Sequence, residues 1–210
     1  PPHRGRFPSS VAEQVGAMST AQLAKMETVD LAALRTSQMF GLTTDQMANL
    51  TTGQVAALTT AQVKALSEAQ MAALTTGLVA ALTTDQAAIL TPTHVASMAA
   101  AKIAAIETDD LVALSTSVIQ SLSTAQVAGM TTDQIAALTT SQVAKLTVDQ
   151  VGAMTTAEIA ALTTEQASTL TAAQTGSLTT TQISKFETAD FAVLQTRVIQ
   201  GLTTSHIAQL

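Results

Sequence analysis

The segment Thr-Thr-Asp-Gln-Ile-Ala-Ala-Leu at 131–138 is one copy of the eight-residue unit that decides the fold of this 210-residue chain. The unit has the consensus Leu-Thr-Thr-x-Gln-Val-Ala-Ala and runs without insertion or deletion from Ser10 to Leu210. We number the positions of each octad from its leucine, so that Leu138 opens an octad and Val143 is its position 6. A fixed period of this kind is the signature of a repeat architecture.

The spacing of the apolar residues within the octad is helical. Large apolar residues fill positions 1 and 6, as Leu58 and Val63 do, and positions 7 and 8 are mostly alanine. Position 6 lies three residues before the next position 1, and residues three apart share one face of an α-helix. A strand would need alternation by two. We therefore predict leucine and valine inside, with threonine and glutamine at the surface or at helix junctions.

Polar residues in the first half of the octad predict where each helix begins. Position 2 is Ser or Thr in 18 of 25 octads and position 5 is Gln in 15, a spacing that matches the capping box. Pro92 falls at the first helical residue, where a missing N–H costs nothing. Acidic residues at position 4, such as Asp133, face the positive end of the helix dipole. These three signals agree on one helix start in every octad.

The predicted fold class is all-α: a solenoid, or superhelix, of very short capped helices, one per eight-residue repeat. A β-solenoid is the alternative, favoured by Thr and Val but opposed by Ala, Gln and Leu. We expect the solenoid to be continuous over residues 10–210, after an N-terminal arm or linker at residues 1–9 with three prolines. The array reaches Leu210 without a polar capping repeat, so either the natural chain continues or this end docks on a partner.

A longer period of ten octads is superimposed on the octad itself. The octads that open at Met26, Ile106 and Phe186 carry glutamate instead of the capping threonine, and the octads after two of them carry valine at position 5. Either a ten-octad unit was duplicated, or one face of the solenoid returns to the same orientation and forms a lateral contact surface. The candidate interaction surface consists of Glu27, Asp30, Glu107, Asp110, Glu187, Asp190, Val118 and Val198.

Composition argues against most kinds of chemistry. A net charge of −6 with nine scattered Lys and Arg opposes nucleic-acid binding, and the lack of cysteine excludes disulfides and zinc–thiolate sites. No apolar run approaches the roughly 18 to 20 residues of a membrane helix, so we expect no membrane insertion. His3, His94 and His206 are far apart, and the acidic residues at 107–110 suit a helix N-terminus better than calcium. We predict no enzyme activity, catalytic residue, metal or cofactor.

The array from Leu122 to Leu162 resembles the Thr/Ala/Leu octapeptide-repeat arrays of large bacterial surface or adhesin-like proteins. This resemblance implies an extracellular or cell-surface location in a bacterium. The predicted function is a structural repeat protein that forms a rod, stalk or filament by self-association, as a homo-oligomer or fibre. The alternative is an adhesin-type binding module that recognises a protein or glycan through the solenoid surface, and an intracellular scaffold is the third possibility.

Overall fold

The computed structural model describes residues 11–186, 192–193, 199 and 201–208. Within these residues the chain forms 23 short α-helices and no strand, with one helix starting in each octad. The packing of these helices repeats along the chain. The predicted all-α solenoid is therefore confirmed, and the β-solenoid is excluded for the described part of the chain.

The helices are four to six residues long, and nearly all begin at position 3 of their octad. Their bounds are Val11–Gly16 (α1), Thr20–Ala24 (α2), Thr28–Ala33 (α3), Thr36–Met39 (α4), Thr44–Ala48 (α5), Thr52–Ala57 (α6), Thr60–Ala65 (α7), Glu68–Ala73 (α8), Thr76–Val79 (α9), Thr84–Ala88 (α10), Pro92–Ala96 (α11), Ala100–Ile103 (α12), Thr108–Ala113 (α13), Thr116–Ser121 (α14), Thr124–Val127 (α15), Thr132–Ala137 (α16), Thr140–Val143 (α17), Val148–Ala153 (α18), Thr156–Ala160 (α19), Thr164–Ala167 (α20), Ala172–Gly176 (α21), Thr180–Ile183 (α22) and Thr204–Ile207 (α23).

Most helices are started by the predicted capping box. Before α6, the Thr51 hydroxyl accepts a hydrogen bond from the Gln54 amide at 3.1 Å. Gln54 Oε1 in turn accepts from the Thr51 amide at 3.0 Å. Two amides that a helix leaves unpaired are thereby satisfied. Pro92 occupies the first position of α11, as the sequence predicts.

Two extended residues turn the chain between one helix and the next. Leu58 ends α6 with φ −58° and ψ 136°, and Thr59 follows with φ −68° and ψ 154° before α7 begins. No residue in the described part of the chain has a positive φ. Because the junction needs no left-handed conformation, the octad needs no repeated glycine to change direction.

Positions 1 and 6 form a continuous core along the superhelix. Leu58 at position 1 and Val63 at position 6 are 4% and 0% exposed, and equivalent residues are buried in nearly every octad from α5 to α22. These side chains belong to one hydrophobic cluster. The predicted placement of leucine and valine in the interior is confirmed.

Contacts between turns join residues about three to four octads apart. Helices pack against the helix three further along, as α5 does against α8 and α10 against α13. Hydrogen bonds from glutamine side chains reach back 28 to 31 residues, as from Gln134 to the carbonyls of Ile106 and Ile103. One superhelical turn therefore takes between three and four octads, and an isolated octad has neither its core partner nor its polar partner.

Candidate functional site

Three residues of the candidate interaction surface are exposed. Glu27 and Glu107 are the N-cap residues of α3 and α13, and neither side chain makes a capping hydrogen bond. Both carboxylates, and that of Asp30 within α3, lie at the protein surface. These two octads, which lack the capping threonine, thus direct negative charge into solvent, where it is available to a partner.

Asp110 and Val118 lie in the interior and not on an exposed surface. Asp110 is 4% exposed, and its Oδ1 accepts a hydrogen bond from the Thr84 hydroxyl at 2.7 Å. Val118 is 0% exposed, within α14. Both occupy position 5, which faces the preceding turn of the superhelix. They contribute to contacts between turns, and a partner would meet Glu107 instead.

Glu187, Asp190 and Val198 lie outside the residues that the structure describes. Whether all three octads of the ten-octad period present one common surface stays a prediction.

Close approaches between adjacent turns join Gly16 to Gly41, about three octads apart, and Gly129 to Ala100, nearer to four octads apart. Three such turns take between nine and eleven octads, so a period of ten octads is compatible with three turns.

The most connected polar group is the glutamine at position 5, and it is buried. Gln142 is 2% exposed. Its Oε1 accepts from the Thr139 amide at 2.9 Å, while its Nε2 donates to the carbonyls of Leu111 at 3.0 Å and Leu114 at 2.9 Å. One side chain therefore caps its own helix and fastens it to the preceding turn.

The sequence prediction places glutamine at the surface or at helix junctions, and only the junction part is right. The capping role follows from the spacing Thr-x-x-Gln. The second role is not visible in the sequence, because the carbonyls that receive Nε2 lie nearly four octads earlier and have no side-chain signature. The only available signal is that position 5 strongly prefers an amide over the equally helix-compatible Glu or Lys.

Some of the residues that replace this glutamine keep a hydrogen-bond donor. His94 accepts from the Thr91 amide at Nδ1, 3.4 Å away, and its Nε2 lies 2.9 Å from the Leu66 carbonyl oxygen. With Nδ1 as acceptor, Nε2 carries the proton. Lys102 donates from Nζ to the Ala72 carbonyl. His94 therefore has the structural role of the glutamine that it replaces, since it caps its own helix and contacts the preceding turn.

The remaining surface offers a few apolar side chains and a shallow groove. Val29 and Phe40 are 67% and 64% exposed, near the start of the described array. An open groove of about 540 Å³ lies between α8 and α11. It is lined by Leu66, Ser67, Glu68, Ala69, Thr93 and His94.

Among the described residues, no three His, Cys, Asp or Glu side chains lie close enough together to hold a metal ion. The acidic residues of α13 are divided between surface and interior, with Asp109 exposed and Asp110 hydrogen-bonded to Thr84. None of the short helices in the described ranges has the length and apolar character needed to cross a membrane.

Comparison with known families finds similarity to one family of repeats. Four segments, some of them overlapping, match the ALTTAQ repeat family, namely residues 23–60, 49–76, 55–84 and 103–140. No curated protein matches the chain. The family matches follow the octad and support a repeat-array protein, in agreement with the helical repeat described above.

Proposed function

We propose that this repeat protein is a structural element that forms an extracellular rod, stalk or filament by self-association. The observation that carries the proposal is the repeated glutamine contact between turns, which recurs with similar geometry from Gln46 in α5 to Gln182 in α22. A solenoid held in this way has a length set by the number of its repeats, since each turn contacts only its neighbours.

The dimensions of the array suit a rod. Adjacent packed helices lie about 8–10 Å apart. At three to four octads per turn, residues 11–186 form about six turns, so this part of the chain extends over roughly 60 Å. Bracing by buried amides at nearly every turn favours a stiff element over a flexible linker.

The surface character supports self-association and gives no support to catalysis. Charged residues make up only 11% of the chain, and threonine and alanine supply much of the exterior. Weak charge repulsion between identical copies favours lateral contact. Glu27, Asp30 and Glu107 are the exposed members of the candidate surface, and a lateral contact would use them together with the partly exposed Val112 on α13. We propose no enzymatic step.

Electron microscopy and sedimentation velocity of the purified protein over a hundredfold concentration range test the proposal. We expect rods that lengthen or pair laterally as concentration rises. Glu107→Ala is expected to change assembly and leave the helical circular dichroism unchanged, with Glu165→Ala as the matched exposed control. Short rods of one size at every concentration contradict self-association.

The proposed location on the bacterial surface rests on the resemblance to octapeptide arrays of surface and adhesin-like proteins. Fractionation of the source cells, with protease treatment of intact cells, tests this location separately from assembly. Protein that resists protease until the cells are lysed contradicts it.

A binding module is the second candidate, favoured by the exposed Phe40. An aromatic side chain that is 64% exposed on a surface of threonine and alanine is the kind of residue that anchors a partner. Binding to arrays of immobilised glycans and surface proteins, compared between the wild-type protein and Phe40→Ala, tests this candidate. Because Phe40 contributes little to the core, the variant should keep its unfolding temperature, and unchanged binding argues against this role.

A further inference from the structure

The contact between two turns has two different sides, position 5 of the later turn and position 6 of the earlier turn. Gln62 Nε2 lies 2.9 Å from the oxygen of Leu31, a position-6 residue, and 2.7 Å from the oxygen of Leu34. Inside the array both sides are covered. Gln62 is 1% exposed, and the position-6 side chains from Leu23 to Ile183 are at most 2% exposed.

The first described turn presents the position-5 side without a partner. Gln22 in α2 is exposed and Gln38 in α4 is half-buried, whereas Gln46 in the next octad is 2% exposed. The Oε1 atoms of Gln22 and Gln38 accept the amides of their own caps at 2.8 and 2.7 Å. No described residue accepts a hydrogen bond from either Nε2. We call this the N-terminal end surface, and position 6 beneath it is buried, as at Leu23 and Leu31.

The last described octads present the opposite side. Ile199 and Ile207 occupy position 6, yet they are 43% and 51% exposed. Position 5 is covered here, since His206 is 5% exposed. The isoleucines form what we call the C-terminal end surface. It consists of aliphatic side chains whose equivalents elsewhere are buried by the following turn.

The two end surfaces are therefore complementary halves of one interface. The N-terminal end surface has the glutamines of a later turn without the earlier turn, and the C-terminal end surface has the position-6 residues of an earlier turn without the later one. Two different, complementary surfaces on one molecule associate head to tail, and such a contact extends into a filament when it does not close into a ring.

We propose that the C-terminal end surface of one copy stacks on the N-terminal end surface of a second copy. Gln22 and Gln38 then cover Ile199 and Ile207 of the neighbouring copy and donate to its backbone carbonyls. The inference rests on the proposed self-association and gives it a direction, along the superhelix axis with all copies pointing the same way. The junction repeats the contact that already joins turns within one chain.

The chemistry of the two end surfaces suits such a junction. Coverage of Ile199 and Ile207 removes apolar surface from water. The glutamines are already held by their caps through Oε1, so little side-chain freedom is lost when Nε2 finds an acceptor. Asp30, at position 5 of the octad between them, is exposed and offers no donor. The two glutamines are thus the donors that we assign to the junction.

Two single variants, each of which blocks one end, test the direction of the contact. Gln22→Glu removes the donor and keeps the capping box, in which glutamate serves as well. Ile207→Asp places a charge on the C-terminal end surface. We expect each variant alone to raise the dissociation constant of self-association by about tenfold or more at pH 7. An equal mixture should form dimers that grow no further, because one intact end of each kind remains available.

Sedimentation velocity measures the assembly, and circular dichroism checks that each variant keeps the helical fold. Gln120→Glu and Val148→Asp are the matched controls, because both side chains are exposed within the array and away from its ends. Both controls should assemble as the wild type does.

The outcomes separate this contact from the proposed function. If the wild type assembles and both end variants assemble equally well, the axial contact is overturned and self-association stands. A wild type that stays monomeric at every concentration overturns both. Dimers of Ile207→Asp alone show that N-terminal end surfaces pair with each other, and dimers of Gln22→Glu alone show the same for C-terminal end surfaces. Either result overturns the head-to-tail arrangement.

Thiol labelling distinguishes a second copy from the chain's own residues as the cover of the N-terminal end surface. Met26 is half-buried there, although position 1 is buried from Leu42 to Phe186. Because the chain has no cysteine, Met26→Cys supplies a single thiol. Its reaction with a maleimide should be fast in dilute solution and slow in proportion to the assembled fraction. A slow reaction at every concentration means that the same chain covers this end, and a fast reaction in assembled protein means that nothing does; each overturns the proposal.

Discussion

Replacement of Gln142 by alanine tests the central physical argument, that a single buried amide both starts a helix and holds adjacent turns together. The side chain is 2% exposed, and it accepts from the Thr139 amide and donates to the carbonyls of Leu111 and Leu114. No other octad supplies a replacement, because each glutamine serves its own pair of turns.

The magnitude follows from the groups left without partners. In Gln142→Ala the Thr139 amide loses its acceptor, and the Leu114 carbonyl loses its donor. The Leu111 carbonyl keeps the Leu114 amide, 3.2 Å away. A buried group without a partner costs about 1–3 kcal/mol, so we expect a loss of about 3 kcal/mol, which lowers the unfolding temperature by about 6–12 °C for a chain of this size.

Urea denaturation followed by circular dichroism measures the loss, and Gln120→Ala is the matched control because that side chain is exposed. Hydrogen exchange adds a local readout, in which protection should fall first around residues 111–114 and 139–146. A loss below about 1 kcal/mol, equal to that of Gln120→Ala, refutes the argument, since it means that the hydrogen bonds between turns contribute no net stability.

Four other changes have defined expectations, each measured by thermal unfolding. Thr51→Ala removes the hydroxyl that caps α6 at 3.1 Å and should cost about 1 kcal/mol; no loss means that the hydroxyl hydrogen bond is dispensable. Val63→Ala empties a site that is 0% exposed and should cost about 2 kcal/mol; a loss below about 0.5 kcal/mol indicates that the core collapses around the gap. Gly53→Ala has nothing within 4 Å of the new carbon and should stabilise α6 by about 0.5–1 kcal/mol. Gly16→Ala, its counterpart, should destabilise, because its new carbon would lie 2.5 Å from the Gly41 oxygen; the opposite order of these two variants contradicts the stated packing.

Local interactions make the helices predictable. The step of three between Val63 and Leu66, together with the Thr59-x-x-Gln62 spacing, concerns atoms within one octad and its immediate neighbour, so the helix start and the buried face are both written into the repeat unit. The same holds for Pro92, whose fixed geometry suits the first turn of a helix. Repetition then extends one local solution along the chain.

The candidate surface could be predicted only in part, because the burial of some of its residues depends on contacts with another turn of the superhelix. Glu107 is exposed, as we expect for the N-cap residue of α13, because its environment is set by its own octad. The sequence pattern assigns Asp110 to the same surface, yet it is buried, since position 5 faces the preceding turn, where Thr84 donates to its carboxylate. Asp110, three residues after Glu107, therefore belongs to a contact between turns and not to the exposed surface.

The octad alone thus established that the chain is a repeat of short capped helices with an aliphatic core, because those properties depend on neighbours within a few residues. Only the tertiary structure decided how many octads make a turn, and therefore which carbonyls each glutamine reaches. It also separated the acids that face solvent, such as Glu107, from Glu158, which is buried between turns. Packing across three to four octads has no local pattern, so its consequences for charge and burial emerge only when the turns are stacked.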